Sequence, residues 1–313
     1  MALHFTLRQL EYLVAVADCG SIALAAERVN VSSPSISTAI SQLESGSGLQ
    51  LFIRRHAQGL SLTESGRQFT SLARDVLASA GRLSDRAADI AGKVAGPLGI
   101  GCLSTFAQVV MPHLRRSFTD RFAEVEFHQF EGHQADLFDA IRRGQIDVAL
   151  TYDLDIPPEV EFLPLVSLAP HALLPVHHPL AAQAQVTPHE LAPHPMVLLD
   201  LPHSAAYFLS LFSAAGVQPN IVERTRDMGV MRAMVANGFG YSIANIRFGT
   251  DRAPDGKQLI TVPLHSQIAP LDIGLALPRM RTERRALSAF VAHCRQMVPL
   301  LANADHGPER TGD

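Results

Sequence analysis

The chain has no tryptophan, and aromatic residues make up only 6% of its 313 positions. Its core must therefore be built mainly from Leu, Val, Ile and Ala. Cysteine is scarce: Cys19, Cys102 and Cys294 lie far apart and form no C-x-x-C pair. That excludes a disulfide framework and fits a reducing, cytoplasmic setting. No run of about 18 apolar residues occurs, so no membrane span and no membrane partner are expected. The N-terminus lacks a basic region leading into an apolar run and a cleavage site, so no signal peptide is expected either. A surplus of positive charge is also missing. The net charge is −4, and the first 93 residues hold nine Lys and Arg against eight Asp and Glu. Any nucleic-acid contact must come from local placement of a few cations.

What is present suffices for globular structure. Hydrophobic residues are 47% and charged residues 18% of the chain, enough for a packed core. At about 150 residues per domain, the length suggests about two domains.

Leu7, Leu10, Val14 and Ala17 recur at helical spacing and predict a helix over 6–18. Cys19-Gly20 ends it, and Ser21 can cap a second helix running to Val29. Ala25 and Ala26 permit close helix packing. After a turn at 30–32, Ser33-Pro34 reads as an N-cap followed by proline at the first helical position. The third helix is expected to reach Glu44, with Ile36, Ile40 and Leu43 buried and Ser35, Thr38, Ser41 and Gln42 on the opposite side. Residues 51–54 and 60–62 read as two short strands, joined through Arg55, His56 and Gly59. Helix, helix, tight turn and helix with a small polar face form a helix-turn-helix, whose last helix enters the major groove. The hairpin would be a wing, with Arg54, Arg55 and His56 on phosphates. On periodicity alone, an ordinary three-helix domain fits equally well.

The order and spacing of Leu7-Arg8-Gln9-Leu10, Gly20-Ser21, Ala25 through Arg28, Val31 through Ser37, Leu43-Glu44, Leu51-Phe52, Arg54-Arg55 and Leu62 through Gly66 resemble the N-terminal domain of the LysR-type transcriptional regulators. The resemblance implies an α+β multidomain protein: a winged helix-turn-helix (1–62), a dimerisation helix (63–93), a bilobal α/β, periplasmic-binding-protein-like effector domain (94–298) and a flexible tail (299–313). It implies double-stranded DNA, a small-molecule effector and a second copy of the chain, as homodimer or homotetramer, for partners. It makes Ser33, Ser35, Thr38 and Gln42 the candidates for DNA contact beside the wing residues. The chain departs from the family where Ser33 replaces a usual Gln and Thr38-Ala39 a usual Arg-Gln. Both departures remove strong donors, so its operator need not resemble those of relatives.

Phe69, Ala73, Val76, Ala80, Leu83, Ala87, Ile90 and Val94 follow alternating spacings of four and three, a heptad register. Either this helix packs wholly on its own domain or, as the resemblance implies, it pairs with a second subunit. Pairing would give two weak DNA-binding units avidity for two-fold half-sites. Gly92, Gly96-Pro97 and Gly99 read as a hinge into the next domain.

From Leu98 onward strands and helices alternate. Strands are expected at 98–103, 125–129, 147–151, 195–199, 221–224, 240–244, 259–264 and 270–277, with helices at 105–118, 133–143, 203–215, 227–237 and 282–297. The pattern predicts parallel sheets in two lobes, the first about 94–164 and 270–298, the second about 165–269. Ligands in such sheets sit at the carboxyl ends of strands. Those ends carry Ser104, Thr105, Thr151, Tyr152, His203, Ser204 and Asn245, the candidate effector-binding residues. Ser104-Thr105 and His203-Ser204 open helices and suit a carboxylate. Asp153 and Asp155 suit a cationic or amphoteric ligand instead. A plain helix cap is the alternative role for each Ser and Thr.

Fourteen histidines invite a metal, and His171, His177, His178, His189, His194 and His203 cluster in sequence. No HExxH or cysteine–histidine spacing accompanies them, no P-loop or GxSxG occurs, and Gly99-x-Gly101 is half a dinucleotide fingerprint. No cofactor, metal or enzyme activity is expected. The rival classes are a solute-binding protein or enzyme on the same bilobal domain, and a dimer that has lost DNA binding. The wing assignment predicts that Arg55→Ala weakens binding to every duplex and lowers the slope of log affinity against log salt by about one per copy. An unchanged slope in titrations by fluorescence anisotropy would remove Arg55 from the phosphate contacts.

Overall fold

The computed structural model describes residues 5–55, 59–90, 92–281 and 284–302. They fall into two compact units, Met1–Ala91 and Gly92–Asp313.

In the first unit, α1 (Leu7–Cys19) opens with a capping box. Thr6 accepts from the Gln9 backbone N–H, and the Gln9 side chain accepts from that of Thr6. Ser21 caps α2 (Ile22–Arg28). The third helix, α3 (Ser33–Ser47), corrects one expectation: its cap is Ser32, whose Oγ accepts from the Ser35 N–H, and Pro34 sits at the second helical position. Ser33 itself is already helical. Either place spares proline an unmade bond, because the first turn has no intrahelical acceptor for its N–H. The helix also runs past Glu44 to Gly48, whose φ of 68° suits a residue without Cβ. Leu10, Leu13 and Val16 of α1, Ala25 and Ala26 of α2, and Ile36, Ala39, Ile40 and Leu43 of α3 form one core with Leu51.

β1 (Phe52–Arg55) and β2 (Gly59–Leu62) pair antiparallel. Glu44 fastens this hairpin to α3: its Oε1 accepts from the N–H groups of Leu51 (2.7 Å) and Phe52 (3.2 Å). Thr63 then starts α4 (Glu64–Ile90). Its hydroxyl accepts from the Gly66 N–H and donates to the Gln50 carbonyl. The heptad stripe divides along α4. Phe69, Ala73 and Leu77 pack in the core of the unit, whereas Val76 and Leu83 are 39% and 74% exposed beside Leu72 at 63%. Val76 and Leu83 thus lie off the core of their own unit. Val94 lies beyond the helix end, so the register is shorter than the spacing implied.

The second unit contains β3 (Gly96–Leu103), α5 (Ser104–Ala107), α6 (Met111–Arg121), β4 (Val125–Gly132), α7 (Gln134–Arg142), β5 (Val148–Tyr152), β6 (Val160–Leu168), β7 (His171–Pro175), α8 (Pro188–Leu191), β8 (Pro195–Leu199), α9 (Ser204–Ala214), β9 (Asn220–Thr225), α10 (Met228–Ala236), β10 (Ser242–Ala244), β11 (Leu259–Pro263), β12 (Leu271–Pro278) and α11 (Arg285–Ala302). The first lobe's sheet has the order β4-β3-β5-β12-β6. In the second lobe, β10-β7-β11 and the pair β8-β9 meet through backbone bonds between Tyr241 and residues 195 and 197. The two lobes thus repeat one arrangement. In each, the strand that completes the sheet is antiparallel to its neighbours and comes from beyond a crossover.

Several expectations change here. The sheets are mixed, not parallel. Strands β6 and β7 were not among the expected strands; β6 tolerates Pro164 because it is an edge strand with a register shift opposite that residue. It carries the first lobe to Leu168, so the crossovers lie at 169–170 and 264–270. The helix expected over 105–118 is two helices, since Pro112 cannot sit in a helix interior but suits the first turn of α6. Gly96, Pro97 and Gly99 are part of β3, where the Gly99 N–H donates to Asp147; only Gly92 of the expected hinge lies in a turn. The tail expected from 299 is helical to Ala302 and beyond that lies outside the described residues.

Gly66 is fixed by close approach. A Cβ there would lie 2.0 Å from the Leu51 carbonyl oxygen, a backbone atom that cannot step aside. Gly66→Ala is expected to cost about 3 kcal/mol, the upper range for overpacking. Urea denaturation checks this, and an unshifted midpoint would contradict the packing.

Candidate functional site

Two places collect the residues singled out by the sequence. The first is the outward side of α3. Ser35, Thr38, Ser41 and Gln42 are exposed and Ser33 half-buried, while Ile36, Ala39, Ile40 and Leu43 are buried. Ala39 therefore belongs to the core, and of the two family departures in that dipeptide only Thr38 alters the exposed face. The Ser35 hydroxyl shares a 2.8 Å bond with that of Ser32. Gln42 accepts from the Gln9 side chain at 2.8 Å, which steadies it against α1. Gln9 was not singled out, although its place one helix away in a capping box was legible. Arg54 and Arg55 end β1 opposite Leu60 and Gly59. His56 lies outside the described residues.

The second place is the cleft between the lobes of the C-terminal unit. Ser104 and Thr105 open α5, but the Ser104 hydroxyl donates to the Gly132 carbonyl and so is tied to β4. Thr105 is buried. The Phe106 ring packs edge-on against Tyr152 at 4.6 Å, which joins α5 to the end of β5. Tyr152 is buried, and burial pushes its phenol well above the ordinary value, the neighbouring Tyr207 adding to it. Thr151 is fully buried, and its hydroxyl has no hydrogen-bond partner among the described residues. Gln134, unremarked in the sequence, is a buried amide that donates to the Tyr152 carbonyl.

From the second lobe, two side chains clasp the crossovers. Asn245 donates to the Leu168 carbonyl at 2.8 Å, and Tyr207 to that of Ala269 at 3.1 Å. Asn245 Oδ1 is buried without a partner among the described residues. Tyr207 escaped the sequence reading because it lies one turn inside α9, where a tyrosine reads as core. Ser204 starts α9 and is buried; His203 precedes it, and its ring does not cap the helix. Instead His203 Nδ1 lies 2.5 Å from Asp155 Oδ2 on the opposite lobe. Asp153 is also engaged: its Oδ1 accepts from the Asp272 N–H, and its carboxyl is raised from the ordinary range chiefly by burial. Both acids expected to attract a cation are thus used within the fold.

The remaining histidines do not converge. His178 and His194 stack edge-on at 4.6 Å, and His171 is buried, which pushes it down to about 3, with Arg247 and Arg232 contributing. Among the described residues, no group of three or more His, Cys, Asp or Glu is placed to hold a metal ion. No single described helix is long and apolar enough to cross a membrane.

Residues 7–67 match the family model described as bacterial regulatory helix-turn-helix protein, lysR family, and residues 91–299 that of the LysR substrate binding domain. The transcriptional activator protein LysR of Escherichia coli is 28% identical over 306 residues, 95% of each chain. The crystal structure of HinK, a LysR family transcriptional regulator from Pseudomonas aeruginosa, is 34% identical with a TM-score of 0.64, covering 94% of this chain and 99% of that one. Full-length CbnR, crystallised in complex with its target DNA, shares the fold at a TM-score of 0.68 and 23% identity, with 94% and 100% of the two chains covered.

An unpartnered buried hydroxyl is a burden in the ligand-free protein. Thr151→Val keeps the shape and removes it, so stability is expected to rise by about 1 kcal/mol in chemical denaturation. A loss of that size would show that the hydroxyl is satisfied within the fold.

Proposed function

Since the chain belongs to the LysR family of bacterial transcriptional regulators, we propose that α3 reads duplex DNA in the major groove through Ser33, Ser35, Thr38 and Gln42, while Arg54, Arg55 and His56 of the hairpin hold phosphates. The observation that carries this reading is the division of α3. One side is consumed by the core, and the other presents Pro34 and the uncharged polar side chains of Ser35, Thr38, Ser41 and Gln42 to solvent. Short hydroxyl and amide groups suit base edges approached at close range. They supply no charge, so affinity leans on the hairpin and on the joining of two copies. The exposed Leu72, Val76 and Leu83 on α4 supply an apolar stripe for the second copy.

The cleft of the C-terminal unit takes the effector. Thr105, Thr151, Tyr152, Ser204 and Asn245 offer it hydroxyl and amide groups, two of them with unpaired buried atoms. Such groups favour a small polar ligand: the hydroxyls can donate to a carboxylate, while Asn245 Oδ1, its amide N–H being given to Leu168, accepts from a donor on the ligand. The effector acts by differential affinity for two arrangements of the lobes, and the shift changes how paired helix-turn-helix units sit on DNA. It is bound and released unchanged, so the protein is no enzyme. Work on chromosomal DNA places the protein in the cytoplasm.

Fluorescence anisotropy with the DNA upstream of the protein's own gene tests the first half: salt-sensitive, saturable binding is expected, and none at low ionic strength would end the reading. A thermal-shift screen of small carboxylates tests the second. A true effector at 100 times its Kd adds about 2.7 kcal/mol to stability. Thr105→Val is expected to lose that gain and keep DNA binding. A full gain in the variant would place the ligand elsewhere.

A further inference from the structure

Only three described residues other than glycine have a positive φ: Asn30, Asp155 and His203. Asn30 lies in the turn before α3, and asparagine tolerates that conformation. The other two face each other across the cleft. Asp155 (φ 45°) lies in the loop between β5 and β6 of the first lobe; His203 (φ 66°, ψ −50°) precedes α9 in the second. The backbone at His203 forms a three-residue turn closed by a 2.8 Å bond from the Ser204 N–H to the Pro202 carbonyl, the strained, positive-φ form of the γ-turn. An ionised carboxylate can only accept, so Nδ1 of His203 is the donor in their 2.5 Å contact.

Aspartate tolerates this region as asparagine does, but the γ-turn at His203 is strained and needs something to hold it there. Ordinary capping does not explain His203, since its ring makes no bond to the start of α9. What the two have in common is each other. We propose that Asp155 and His203 form a latch between the lobes, which holds them in the arrangement seen here and gives way when they rearrange. The contact is charge-assisted, with its acceptor largely exposed to solvent. An ion pair this exposed contributes little net free energy, so a modest ligand preference for another arrangement of the lobes can release it. Asp155, whose side chain is 74% exposed against 31% for His203, is the member free to swing away. The regulatory meaning of the latch rests on the reading of the cleft as an effector site; the latch itself does not.

Hydrogen–deuterium exchange on the ligand-free, full-length protein tests it. Asp155→Gly and His203→Gly each remove one side chain while accepting the positive φ. A latch carries the effect across the cleft. Asp155→Gly is expected to speed exchange several-fold at residues 201–205 of the opposite lobe, and His203→Gly to do the same at 152–156. The double variant should exceed neither single variant. Unchanged exchange in the opposite loop, or additive effects in the double variant, would overturn the proposal. Should a glycine variant lose its cooperative melt, Asp155→Ala and His203→Ala, which remove the same polar groups at a modest backbone cost, are read by the same criteria. Because no effector is present, failure of the latch and failure of the effector reading at Thr105 are separate results.

Discussion

The chain crosses between the lobes of its C-terminal unit twice, at 169–170 and 264–270, and the cleft residues are placed by that constraint. Strand β12 returns from the second lobe to lie between β5 and β6 of the first, so the first lobe's sheet cannot be completed without the crossovers. The ends of β5 and β8 are thereby brought to the same gap. Asn245 and Tyr207 fasten the crossover backbone by hydrogen bonds to the carbonyls of Leu168 and Ala269. Asp155 and His203 add a contact between side chains of the two lobes. A double crossover lets lobes tilt without separating, which is the motion a cleft sensor requires.

In the N-terminal unit, the corresponding constraint is the orientation of α3. Its apolar side is buried against α1 and α2, its start is set by Ser32, and its end is joined to the hairpin by the Glu44 carboxylate. Two bonds from backbone N–H groups to a charged acceptor are individually worth about 1.5–3 kcal/mol. They make the start of the hairpin and the end of the helix one body. The Leu62 through Gly66 segment gives the same rigidity to the start of α4, through the Thr63 cap and the glycine against Leu51.

Helices with strong local signals were legible from the sequence. The α1 to α3 series and most strands of the C-terminal unit lie within a few residues of their expected bounds, because capping, periodicity and glycine act over a few residues. The errors came from effects that cross the chain. Ser33 looked like a cap until Ser32 took the bond; Ala39 looked like a lost DNA contact until the core claimed it. Strand β6 holds Pro164, which is tolerated only at an edge, and an edge is a property of the whole sheet.

By itself the sequence determined the order of elements, the polar side of α3, the arginines of the hairpin and the family to which these belong. Each of those depends on spacing along one segment. Only the tertiary structure decided that Thr151 and Asn245 carry unpaired buried atoms, that Asp153 is occupied by Asp272, and that Asp155 meets His203 across a gap of 48 residues. Such facts arise where distant segments exclude water together, and no local pattern records which polar groups will then find partners.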